Sequence, residues 1–433
     1  MNGQDREALD AMGEALHSAS DEQRTALQAE DRDLRLAIAG SEAKLAAAER
    51  ELAALSARVN KRRTFRFAND SMQFLHGATV DLLHDLDVIA NGTSVAVAQR
   101  LEWARRITEL TLHHPNARVS WADARAAIAA ADGVVASRLY QGAAIALRDE
   151  DLTGLVPIGM NPATKLWEFY ELRSAWDGVV DPATIAIPSH GPDGSIAVDE
   201  TTGIVFVLLP GGTFLMGAQR MDPGLPNYAE DADGQQWPHA VALAPFLLAR
   251  HELTQGQWER LWNGARDARW PGVVRGERLP VEQVDWHECD RTLTQQGMEL
   301  PTEAQWEYAC RAGTTTPWSC AWADLGRCAH FDAARAVGLP RPPLPVGSLS
   351  ANAFGLFDMH GNVAEWCRDP NGSYADPVLP GDALRLAAGD ERVYRGGDFT
   401  CTASGVTSHV RHATRSDARS QTLGVRAARR LSR

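Results

Sequence analysis

Cysteine offers the broadest chemistry in this chain, as metal ligand, nucleophile or redox centre, and six are present: Cys289, Cys310, Cys320, Cys328, Cys367 and Cys401. None belongs to a CxxC pair, and their spacing matches no metal-binding pattern. A thiol becomes reactive as a thiolate beside a group that stabilises it. Around Cys401 the sequence supplies no second cysteine, and the position five further on is Val406. Histidine is the next candidate. His76 and His84 are eight apart, and His113 follows twenty-nine later beside His114, so no HxxxH or HxxE face is formed for a metal. These histidines read as structural or solvent-exposed side chains. The HRD and DFG signatures of a protein kinase are also missing from the N-terminal half.

Three kinds of segment could position such residues. From Leu27 to Val59 the apolar residues follow a heptad, with Ile38, Leu45, Leu52 and Val59 at one seam position and Leu27, Leu34, Ala48 and Leu55 at the other. Asp31 and Ser41 interrupt it. The pattern predicts either a coiled coil that self-associates through residues 27–59 or one long helix packed on its own protein. From Lys61 to Arg148 several helical stretches, such as SVAVAQRLEWARRITELTLHH, suggest a helical adaptor. Composition then shifts to Gly, Pro and short apolar runs, as in TGIVFVLLPGGTFLMG, which predict strands and turns. The expected division is 1–62 coiled coil, 63–150 helical adaptor, 151–200 connecting strands and turns, and 201–433 a separate α+β domain.

Composition narrows the function classes. A net charge of -13 repels a phosphate backbone, and no dense basic patch overrides it, so no nucleic-acid partner is expected. The N-terminus has neither a basic nor an apolar signal segment, and no run reaches transmembrane length. A cytoplasmic protein with reduced thiols and no membrane partner is the expectation.

Several stretches in order carry a resemblance: PGGTFLMG (Pro210 to Gly217), FLLARHELTQGQWERLW (Phe246 to Trp262), LPVEQVDWHECDRTL and LPTEAQWEYACRAGT (Leu279 to Thr315), and FGLFDMHGNVAEWCRDP (Phe354 to Pro370). RGGDFTCTASGV (Arg395 to Val406) and LGVRAAR (Leu423 to Arg429) close the series. Together they resemble the formylglycine-generating enzyme, or sulfatase-modifying factor, family. That resemblance implies a compact, irregular α+β fold akin to C-type lectin domains. It also implies a Ca²⁺ site at Asp358, Gly361, Val363 and Glu365, whose hard oxygen donors suit that ion. The family's oxidase chemistry implies a Cu(I) ion held by two cysteines five residues apart, with O₂ oxidising a peptide cysteine. Here Cys401 matches the first and Val406 replaces the second. The family's iron-dependent sulfoxide synthases use a His/Glu triad on a helical domain, which the histidine spacing does not provide.

The domain is also similar to the variable proteins of diversity-generating retroelements. In those, codons of the NNC kind are randomised between an RGG-like and a GFR-like strand. Here Arg395-Gly396-Gly397 and Gly424-Val425-Arg426 give the same frame, and all twenty-three residues from Asp398 to Ser420 belong to the NNC-encodable set. The expected function is therefore a non-catalytic protein that binds a protein or peptide ligand. Its surface would comprise Asp398, Phe399, Thr400, Cys401, Thr402, Ser404, Val406, Thr407, His409 and His412. A copper oxidase using Cys401 is the alternative, and a structural platform within a larger complex is a third reading. Arg411, Arg415, Arg419, Arg426, Arg429 and Arg430 would either favour an acidic ligand or be paired internally.

Overall fold

A computed structural model describes residues 105–129, 140, 145–233, 236–262, 275–332 and 342–431, all within the compact unit Ala98–Arg433. The heptad at 27–59, and His76 and His84, lie outside the described residues. Among the described residues no helix is long and apolar enough to cross a membrane.

The main sheet has five strands in the order β1-β2-β3-β6-β11, every neighbouring pair antiparallel. These are β1 (Leu155–Met160), β2 (Trp167–Glu171), β3 (Val205–Leu209), β6 (Phe246–Ala249) and β11 (Ala428–Arg430). The run VFVLL of β3 does not alternate because all five of its residues are buried, as a strand covered on both faces requires. Between β3 and β6 lies a two-stranded ribbon, β4 (Gly212–Met216) with β5 (His239–Leu243). A second sheet has the order β10-β7-β8-β9: β7 (Ala364–Pro370), β8 (Glu391–Arg395), β9 (Arg411–Arg415) and β10 (Leu423–Gly424). Mixed helix and sheet confirm the α+β expectation.

The strands β1 and β2 change the expected division of the chain. Residues 151–200 are no mere connector, since β2 pairs with β3 through Glu168↔Val207, Phe169↔Phe206 and Tyr170↔Val205. The described part of the helical region joins the same core. In α1 (Trp121–Ala129), Trp121 stacks on Phe169 with ring centroids 5.3 Å apart. Tyr140 donates to the Leu208 carbonyl at 2.8 Å and accepts from the Trp167 amide at 2.8 Å. Apolar side chains separated by a hundred residues thus share one interior, a grouping that composition shifts do not reveal.

Four further helices follow, α2 (Gln255–Trp262), α3 (Trp286–Thr294), α4 (Glu303–Arg311) and the short α5 (Leu325–Cys328), of which α3 packs on β7 and α4 on β7 and β8. The PTEAQW sequence starts α4: Thr302 accepts from the Gln305 amide while the Gln305 side chain accepts from the Thr302 amide, a capping box. α4 ends at Ala312, which adopts a left-handed conformation. All nine residues of α4 are buried, including Glu303, Glu307 and Arg311. Burying such charges requires partners. Arg395 of β8, fully buried, pairs with Glu307 and lies 3.7 Å from Glu303, and Arg411 meets Glu303 at 2.8 Å. These pairs fix α4 against the strands that bracket the loop described next.

Candidate functional site

The segment joining β8 to β9 begins with the two glycines of RGG. Gly397 has φ of +65°, and a Cβ there would lie 2.2 Å from the Gly405 carbonyl oxygen, so only glycine lets the loop close on itself. Asp398 then accepts from the Thr400 amide at 2.8 Å and from its hydroxyl, which turns the chain. A 3₁₀ turn, Ala403–Val406, follows and leads into β9.

The scaffold holds this loop chiefly by its backbone. The Phe399 amide donates to the Asn362 carbonyl at 2.9 Å, and the Asp332 amide donates to the Cys401 carbonyl at 2.8 Å. Trp318 Nε1 donates to the Ala403 carbonyl at 3.2 Å. His360 Nδ1 donates to the Val406 carbonyl at 2.8 Å, and the Ser408 amide donates to the Pro317 carbonyl at 2.7 Å. Arg395 Nη1 reaches the His409 and Val410 carbonyls at 2.7 and 2.6 Å. His360 is a neutral imidazole in this role, because its other nitrogen, Nε2, accepts from the Ser319 amide at 3.1 Å. Burial lowers its pKa to about 4.

Side chains of the loop divide into two sets. Asp398, Cys401 and Thr402 are half-buried, and Thr400, Ser404 and His412 are exposed. His412 stacks on Tyr394 with centroids 5.3 Å apart. Phe399, Val406, Thr407 and His409 are buried instead of forming surface. Phe399 packs against His330, and the Val406 side chain lies against Gly397. His409 approaches Asp231 at 3.7 Å, while burial lowers its pKa to about 4. Burial pushes the Cys401 thiol up, which disfavours the thiolate that a metal ligand or nucleophile needs.

One neighbour of the loop was missed from sequence. Trp318 and Trp322 meet with ring centroids 5.2 Å apart and planes tilted by 48°, and Trp322 is 65% exposed, making an aromatic patch next to the Ala403 carbonyl. The only signal was the WSCAW spacing. The tail arginines, in contrast, are engaged internally. Arg411 meets Glu303 at 2.8 Å, Arg415 meets Asp417 at 2.9 Å and Arg419 meets Glu288 at 2.7 Å. Arg426 and Arg430 each lie 2.6 Å from Glu365 and Glu299 respectively, and Arg429 donates to the Thr153 carbonyl at 2.8 Å.

The residues expected to bind calcium sit below the loop. Glu365 accepts from Arg426 through both oxygens, at 2.6 to 3.0 Å, and from Trp306 Nε1 at 2.7 Å. Asp358 accepts from the Gly347 amide at 2.7 Å, and burial raises its carboxyl to about 6. Burial first, and then the charges of Asp358 and Glu365, push Glu252 well above its usual range. Three carboxyl groups therefore lie near one guanidinium, and a hard cation there would replace the protons that burial favours, although an ion taken by Asp358 would share Glu365 with Arg426. Among the described residues, no group of three or more His, Cys, Asp or Glu is arranged to hold a metal ion by side chains alone. Gly361 and Val363 could contribute only their carbonyls. His113 is exposed, and His114 is buried with a ring nitrogen 3.2 Å from the Pro182 carbonyl.

The profile of the sulfatase-modifying factor enzyme 1-like domain matches residues 195–431. The formylglycine-generating enzyme of Streptomyces coelicolor is 30% identical over 293 residues, covering 51% of this chain and 88% of that protein. Among solved structures, PvdO from Pseudomonas aeruginosa is similar at 26% identity and a TM-score of 0.47, with 54% of this chain and 96% of that one covered. Treponema denticola variable protein 1 is similar at 22% identity and a TM-score of 0.43, with 53% and 96% covered.

Proposed function

The chain belongs to the sulfatase-modifying factor enzyme 1-like domain family, and from that premise we propose that it is a non-catalytic binding protein displaying a ligand surface on the loop between β8 and β9. The observation that carries this reading is the way the loop is held. Its backbone is anchored by Asn362, Asp332, Trp318, His360, Pro317 and Arg395, so the half-buried or exposed side chains of Asp398, Thr400, Cys401, Thr402 and Ser404, with His412 of β9 beside them, can meet a partner. The NNC-encodable run from Asp398 to Ser420 supports a surface open to diversification on a C-type-lectin-like scaffold. The exposed Trp322 adds an apolar face suited to a protein or peptide ligand. Self-association through residues 27–59 would multiply weak individual contacts into avidity.

The rival is a copper-dependent oxidase of peptide cysteine, which the relative in Streptomyces coelicolor favours by its name. Copper(I) needs soft thiolates, and the position five residues beyond Cys401 is the buried Val406, which cannot ligate. The residues present do not fit that ion. The test is a turnover assay with Cu(I), O₂ and a Cys-x-Pro-x-Arg peptide, read by mass spectrometry. No aldehyde is expected. Conversion that disappears in Cys401→Ala would establish the oxidase and overturn the binding reading.

We also propose a structural Ca²⁺ held by the Asp358 carboxylate with the Gly361 and Val363 carbonyls and a share of Glu365. Calcium would then raise the melting temperature of the purified protein, and Asp358→Asn would remove that rise. An identical melting curve with calcium and with chelator would count against the site.

A further inference from the structure

A pair of thiols lies beside the ligand loop. Cys320 and Cys328 line one small open cleft together with Ser319, Asn352, Asp358 and His360. Both are free and half-buried, so a small reagent can reach them, whereas Cys289, Cys310 and Cys367 are buried. The chain brings the two together by folding back. After Cys320 a 3₁₀ turn (Trp322–Asp324) runs straight into α5, whose last residue is Cys328. Burial first, and then the neighbouring Cys328, push the Cys320 thiol up to about 12, so Cys320 keeps its proton. Cys310, which also faces His360, has its sulphur 3.5 Å from the Met359 carbonyl and 3.6 Å from Ser408 Oγ inside the core.

We propose that Cys320 and Cys328 form an oxidisable dithiol that a small hydroperoxide converts reversibly to an intramolecular disulfide. With hydrogen peroxide, the Cys328 sulphur attacks one peroxide oxygen; the O–O bond breaks, giving a sulfenic acid at Cys328 and one water. The Cys320 thiol then passes its proton to the departing hydroxyl as its sulphur attacks the Cys328 sulphur; an S–S bond forms and a second water leaves. Two thiols and one peroxide become one disulfide and two waters, with two electrons passing from sulphur to oxygen. The result bears on the loop because the same segment holds it. Trp318 bonds the Ala403 carbonyl, and Ser319 bonds His360, which in turn bonds the Val406 carbonyl.

The full chain is treated with hydrogen peroxide, alkylated under native conditions and mapped by mass spectrometry. A Cys320–Cys328 crosslink is expected, reversed by dithiothreitol, absent in Cys328→Ser and retained in Cys401→Ser. Circular dichroism matching the parent shows that each variant is folded; should Cys328→Ser not fold, Cys320→Ser serves the same purpose. Recovery of both thiols alkylated after peroxide, pairing of either one with Cys401, or a crosslink that forms only in urea would overturn the proposal.

Discussion

His360 shows how one side chain can carry a positional role through its protonation state. Buried and neutral, it links Ser319 to the Val406 carbonyl, and its pKa lies at about 4 against 6.5 when exposed. Between those values the unfolded chain binds a proton that the folded chain refuses. The stability His360 provides is thus complete above about pH 6.5 and is lost as pH falls toward 4, at about 1.4 kcal/mol per pH unit. Asp358 and Asp369, raised to about 6 by burial, act in the opposite sense over much of that range. The parent alone therefore gives a muted acid response, and a substitution isolates the histidine. His360→Gln should cost less stability at about pH 5 than at about pH 7.5, the gap narrowing by about 2 kcal/mol. Urea unfolding at the two pH values measures it; a gap that stays constant would mean that His360 titrates alike in the folded and the unfolded chain.

At the scale of elements, the added strands β1 and β2 decide where the folding unit begins. The family match starts at residue 195, yet β3 has a hydrogen-bonded neighbour on each side, and one of them is β2. Glu168 of β2 lies 3.2 Å from Arg250 and 2.9 Å from His190, all three largely buried. A chain beginning at Thr201 would open the edge of β3 and leave Arg250 without its carboxylate. Such a chain should aggregate and lose its cooperative thermal transition, whereas one beginning at Ala98 should keep it. Circular dichroism with light scattering distinguishes the two, and equal melting of both chains would show that β1 and β2 are dispensable. The helix starts were readable in the sequence because caps are local: Thr302 and Gln305 are three residues apart. The strand partnership was not, because residues 168–170 pair with 205–207 across an irregular stretch that resembles a linker.

For the molecule as a whole, the arrangement separates a scaffold from a displayed loop. If that loop is diversified, natural variants of the chain should differ at Asp398, Thr400, Thr402, Ser404 and His412 while keeping His360, Arg395 and Gly397. Sequencing the gene across related strains tests this, and differences spread evenly from residue 201 to 430 would contradict it. The sequence made an irregular segment after β8 legible through its RGG frame and its short polar residues. It could not show that Phe399, Val406, Thr407 and His409 turn inward, because what covers them comes from remote segments such as His330 and Asp231.

If the loop binds a partner as proposed, the backbone bonds that hold it also bear on the kinetics of recognition. A loop already fixed by Asn362, Trp318, His360 and Arg395 has little conformational freedom left to lose when a partner docks. Encounter rates would then vary little among chains with different loop side chains. Their differences in affinity would reside in how long each complex lasts.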